Sequence, residues 1–117
     1  MPLLYERNEI MDTKSLSTTH NFELDDGTVV QMTLKYFALY QLRAKNKAAY
    51  DKYNRIMMKG PQEELENITI LYTAYLCANL DSIETCMSET EFMQRVPDDR
   101  EYLGTVLTAL INSKKKK

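Results

Sequence analysis

Only three glycines and three prolines punctuate this 117-residue chain, so the backbone has few places to reverse direction. Long regular elements follow from that scarcity. Helices are favoured, because 44% of the residues are hydrophobic and can supply buried faces. The length suits one domain around one ordinary core, and the 27% of charged residues is usual for a soluble globular chain. No stretch approaches the ~18 uninterrupted apolar residues of a membrane span. The opening "MPLLYERNEI" lacks the basic start and long apolar run of a secretory signal. Cys77 and Cys86 are too few for a disulfide framework and fit no zinc spacing, so a reducing cytoplasm is the expected setting.

Residues 1–17 show no clean period. They read as an irregular extension in which Leu3, Leu4, Tyr5 and Ile10 could dock as an arm. The clearest β signal is "THNFELDDGTVVQMT": Phe22 and Leu24 alternate with polar residues, Asp25-Asp26-Gly27 turns the chain, and Val30 and Met32 alternate on the return. A hairpin over 19–32 is marginal alone in water, so its apolar face needs cover.

Helical signals begin at once. Thr33 is a candidate N-cap for a helix over 34–45 that carries Phe37, Tyr40 and Ala44 at helical spacing. Asn46 caps a second helix over 47–59, with Tyr50, Tyr53 and Met57 on one face, ended by Gly60 and Pro61. A third, over 62–80, has Glu63, Glu64 and Glu66 at its positive end. Leu65, Ile68, Leu71, Tyr72, Tyr75, Leu76 and Cys77 cover more than half its circumference, which marks it as the central helix.

Ser88 and Glu91 predict a capping box, with Met87 stapled to Phe92, for a helix over 89–95. Asp98 and Glu101 repeat that logic for one over 99–113, striped by Leu103, Val106, Leu107, Leu110 and Ile111. The expected fold is mainly α (α+β): one domain over 18–113, an N-terminal β-hairpin followed by about five helices in a compact bundle. Residues 114–117 read as a flexible lysine tail.

Charge is divided along the chain. Residues 35–59 hold seven basic side chains against Asp51 alone, a net of +6, and residues 62–101 hold ten acids against Arg95 and Arg100, a net of −8. Either the two halves face and neutralise one another, or opposite faces steer copies or partners together.

No constellation points to catalysis. His20 opens a strand without a neighbouring carboxylate or cysteine and reads as solvent-exposed. Asp25-Asp26 and Asp98-Asp99 are explained by a turn and a cap. Cys77 lies among apolar residues with no basic neighbour to lower its pKa. There is no glycine-rich phosphate loop, so neither cofactor nor metal is expected.

Tyr36, Tyr40, Tyr50 and Tyr53 crowd into eighteen residues, with Met57 and Met58 close behind and Arg43 and several lysines interleaved. One reading is a core whose hydroxyls reach solvent at its edge. Another is a contact surface, because tyrosine pairs an apolar body with a polar tip and methionine adapts to irregular neighbours. Tyr36, Tyr40, Arg43, Tyr50, Tyr53 and Met57 are the candidate protein-binding residues. Single-stranded nucleic acid is the weakest option, since the chain is acidic overall and carries no nucleic-acid motif.

Through "FELDDGTVVQMTLKYFALYQLRAKNKAAYDKYNRIMMKGP", "ILYTAYLCAN" and "EFMQRVPDDREYLGTVLTAL", the chain resembles the tail assembly chaperones of long-tailed phages and prophages of Gram-positive bacteria. The match covers roughly residues 20–112 and leaves residues 1–17 without a counterpart. It implies a non-enzymatic protein of the bacterial host cytoplasm. Such a protein binds the tape measure protein and keeps it soluble until the tail tube polymerises. It also implies further candidate partners: the tail tube protein, a second copy of the chain, and its own longer form made by ribosomal frameshifting. On that view Lys114, Lys115, Lys116 and Lys117 mark a slippery run of adenines, while a solvated tail facing the negative helix end explains them equally. The alternatives are a small helical adaptor for one folded partner and a minor structural component of the tail.

Overall fold

Asp25, Asp26 and Gly27 reverse the chain through a bulged turn. Gly27 sits at φ 89°, its N–H bonded to the Leu24 carbonyl at 2.9 Å, while Leu24 N–H reaches the Thr28 carbonyl at 2.7 Å. This turn joins strands β1 (His20–Glu23) and β2 (Val29–Met32), which pair antiparallel with Phe22 opposite Val30 and His20 opposite Met32. Our structure, a computed structural model, describes residues 19–115. After the hairpin come α1 (Tyr36–Lys45), α2 (Lys47–Lys59), α3 (Glu64–Ala78), a 3-10 segment (Leu80–Thr85), α4 (Glu89–Arg95) and α5 (Arg100–Lys115). The fold is mainly α with an N-terminal hairpin. The arm sought in residues 1–17 lies outside the described residues, as do Lys116 and Lys117.

Period-two alternation puts Phe22, Leu24 and Met32 on the covered face of the hairpin, all fully buried. His20 shares that face and is half-buried, not the solvent-exposed residue its isolation suggested. The cover is α3, buried from Thr69 to Cys77 except at the half-buried Tyr72. Leu65, assigned to the same apolar wrap, lies one turn too early and is exposed. Burying each large aliphatic or aromatic side chain contributes about 1.5–3 kcal/mol, so α3 is the main source of core stability.

Five aromatic rings tie the hairpin, α4 and α5 to this helix. Phe92 of α4 stands 5.6 Å from Tyr75, 5.5 Å from Tyr72 and 6.1 Å from Phe22, measured between ring centroids. Phe22 in turn stacks on Tyr102 of α5 at 5.4 Å, and the Tyr102 hydroxyl accepts the Glu23 N–H at 2.8 Å. Hydrogen bonds also fasten the segment after α3. Tyr72 donates its hydroxyl to the Met87 carbonyl at 2.8 Å, and Met87 N–H donates to the Tyr75 hydroxyl at 3.0 Å.

Several boundaries differ from the sequence reading. Thr33 does not cap α1. Its hydroxyl accepts the Lys35 N–H at 3.3 Å and its own N–H goes to the Ala74 carbonyl of α3 at 3.1 Å, so the helix starts later, at Tyr36. The buried side of α1 is Ala38, Leu39 and Leu42, while Phe37, Tyr40 and Ala44 face outward. Apolar residues occur on both sides of this helix, and the slimmer aliphatic side fits against α3.

At the entry to α3, the Glu66 carboxylate turns back to accept the Gln62 N–H at 2.6 Å and the Glu63 N–H at 3.4 Å. The same helix stops at Ala78 and not at residue 80, because Asn79 leaves helical geometry and folds its amide onto the Tyr75 carbonyl at 2.8 Å. Ser88 caps α4 by accepting the Glu91 N–H at 3.1 Å, with the Glu91 carboxylate set toward Arg95 at 3.8 Å. Asp99, not Asp98, caps α5 by accepting the Tyr102 N–H at 3.1 Å. The backbone of α5 runs through Lys114 and Lys115, past the limit of 113 set by the apolar stripe.

Candidate protein-binding groove between the first two helices

A single residue separates α1 from α2. Asn46 gives its N–H to the Leu42 carbonyl at 2.7 Å, ending one helix, and its side-chain oxygen accepts the Ala49 N–H at 3.2 Å, starting the next. So short a link folds α2 back beside α1. Gly60, at φ 85°, ends α2 with its N–H on the Ile56 carbonyl at 2.8 Å.

Between the paired helices lies an open groove of about 370 Å³ lined by Tyr36, Leu39, Tyr40 and Arg43 from α1 and Tyr50, Tyr53, Asn54 and Met57 from α2. All six residues singled out from the sequence line it. Their spacing explains the convergence: 36, 40 and 43 share one face of the first helix, and 50, 53 and 57 one face of the second.

Burial divides the set. Tyr53, only 4% exposed, forms the floor, and burial pushes its hydroxyl pKa up to about 12. Tyr36 and Tyr40, 72% and 62% exposed, form the rim. Tyr50 and Met57 are half-buried between them. Tyr53 is thus a core residue, and Tyr36 and Tyr40 lie at the surface.

Arg43 closes one side. Its guanidinium lies 5.9 Å from the Tyr40 ring and 5.8 Å from the Tyr50 ring, a cation stacked between two quadrupoles, one from each helix. Lys47 reaches Asp51 at 2.7 Å, and Lys52 crosses to the acidic half, meeting Glu89 at 2.9 Å. No carboxylate pairs with Arg43 among the described residues. Neutralisation between the two halves is thus local, centred on Lys52 and Glu89, and it leaves the groove basic.

Sequence reasoning missed two wall residues, Leu39 and Asn54, although each lies three or four positions from a chosen tyrosine. Phe37 is 63% exposed and stacks on Tyr40 with centroids 6.2 Å apart. Met58 is more exposed still, at 79%.

Among the described residues, no group of three or more His, Cys, Asp or Glu side chains could hold a metal ion. Cys77 is buried and Cys86 half-buried, and no disulfide joins them. No described helix is long and apolar enough to cross a membrane. Comparison of the chain with protein-family models, curated proteins and solved structures finds no match.

Proposed function

We propose that this protein is a non-enzymatic tail assembly chaperone that shields apolar stripes of a tape measure protein until a tail tube forms around it. One observation carries the reading: exposed Tyr36 and Tyr40, with exposed Phe37 stacked on Tyr40, rim a groove floored by buried Tyr53, on the two helices where basic and aromatic residues interleave. Exposed aromatic side chains grouped around a concavity favour contact with another polypeptide. A long client built of amphipathic helix presents the same apolar stripe many times. Weak binding at each site, summed over many copies of a small protein, would hold it in solution without any bond being made or broken.

Co-expression with a candidate tape measure protein tests the proposal. The client should stay soluble with the wild-type protein and precipitate without it. Equal precipitation in both cases would overturn the reading. A single folded partner bound one-to-one, with no effect on the client, would establish the adaptor alternative instead.

A further inference from the structure

The groove has a neighbour. A second concavity of about 350 Å³ is lined by Met57 near the end of α2, Pro61 just past it, Asn67 and Ile70 from the first half of α3, and Leu107, Thr108, Ile111 and Asn112 from the middle and second half of α5. Met57 belongs to both linings. Tyr50, Asn54 and Met57 follow one another at spacings of four and three, the ridge that one side of a helix presents, and Pro61 continues the lining just past the stop at Gly60. The two concavities therefore adjoin at Met57, and the helical ridge from Tyr50 to Met57 extends about 10 Å before the chain leaves α2. An extended α-helix is the occupant whose side chains repeat on that scale.

Charge narrows the occupant further. Arg43 borders the first concavity, solvent-exposed, stacked on Tyr40 and Tyr50, with no carboxylate pairing among the described residues. Stacking uses the faces of the guanidinium and leaves its N–H edge open to a planar acceptor. Resting on the function proposed above, we infer that the two concavities form one trough for a single amphipathic helix of a partner protein, with large apolar side chains in both and a carboxylate beside its stripe on Arg43. Segments with basic flanks are disfavoured, because they bring like charge to a surface already basic.

Two synthetic peptides of about 18 residues, long enough to hold helical structure, provide the probe. Both carry the same leucine stripe; one is flanked by glutamates and the other by lysines. Binding is read by fluorescence anisotropy against the full chain at low and high salt. The glutamate-flanked peptide should bind at least about tenfold tighter, and Arg43→Gln should shrink that preference to about twofold or less.

Thr108→Trp fills the second concavity from an exposed position. It should weaken both peptides about tenfold while the circular dichroism spectrum stays unchanged. Equal binding of the two peptides, binding of neither, or no effect of Thr108→Trp would overturn the trough. So would a concentration-dependent dimer that Thr108→Trp abolishes and that neither peptide competes away, since a second copy would then be the occupant. A client kept soluble in co-expression without any acidic preference would overturn this inference alone. An acidic preference without client protection would overturn the chaperone reading and leave the trough standing.

Discussion

Arg95, in the last turn of α4, reaches across 69 positions of sequence to donate from its guanidinium to the Asp26 carboxylate at 2.7 Å. The same residue's backbone carbonyl accepts the Asp25 N–H at 2.7 Å, so the hairpin turn is clamped to α4 by main chain and side chain together. Arg95 also touches the Met87 sulfur at 3.3 Å, which joins the segment before α4 to the same point.

That clamp carries a pH dependence. Hydrogen bonds from the Thr28 backbone and side chain, then the Arg95 guanidinium, lower the Asp26 pKa from 3.8 to about 2. A carboxyl group depressed on folding contributes stability above its unfolded pKa and loses it as the pH falls through the folded value. The contribution should be complete above about pH 4 and gone below about pH 2. Asp26→Asn should therefore destabilise the chain at neutral pH and converge with wild type near pH 2, as followed by chemical denaturation across that range. A constant gap between the two proteins would show that Asp26 ionisation is not involved.

The groove residues should separate into two kinds. Tyr53→Ala removes a buried ring and should cost about 3 kcal/mol of stability. Tyr40→Ala alters an exposed one and should change stability by no more than about 0.5 kcal/mol. Only Tyr40→Ala would then lose client solubilisation while keeping its fold. Thermal melts beside the co-expression assay read both effects, and equal destabilisation by the two substitutions would place Tyr40 in the core.

Phe92 is fully buried and meets Phe22, Tyr72 and Tyr75. Phe92→Ala should cost about 3–5 kcal/mol, because rings from the hairpin and α3 would surround a cavity that none can fill alone. Tyr102→Phe keeps the stack on Phe22 but removes the hydrogen bond from the Glu23 N–H, so a loss near 1 kcal/mol is expected. Urea unfolding midpoints distinguish the two magnitudes.

Two glycine substitutions should act with opposite sign. Gly60 sits at φ 85° and ψ 145°, a region that residues with a Cβ seldom enter, and Gly60→Ala should cost about 1–3 kcal/mol although nothing lies within 4 Å of the added carbon. Gly104 lies inside α5 with similar open space, and Gly104→Ala should stabilise by about 0.5–1 kcal/mol. Differential scanning calorimetry of both variants checks the signs.

Short-range chemistry decided much of this architecture before any packing. The turn at Gly27, the cap at Asn46, the stop at Gly60 and the cap at Ser88 each involve a few adjacent residues, so sequence alone determined them, and with them the hairpin-then-helices order. The six groove residues were legible for the same reason, since helical spacing puts them on facing sides once Asn46 turns the chain. Tertiary structure chose between options that were locally equal. Both sides of α1 are apolar, and only contact with α3 buried Ala38, Leu39 and Leu42 and left Phe37 and Tyr40 outside. Asp98 and Asp99 are alike as caps until the packing of Tyr102 on Phe22 fixes where α5 begins. Met57 joins two concavities only because α5 returns beside the end of α2, a meeting of residues some fifty positions apart that no local spacing encodes.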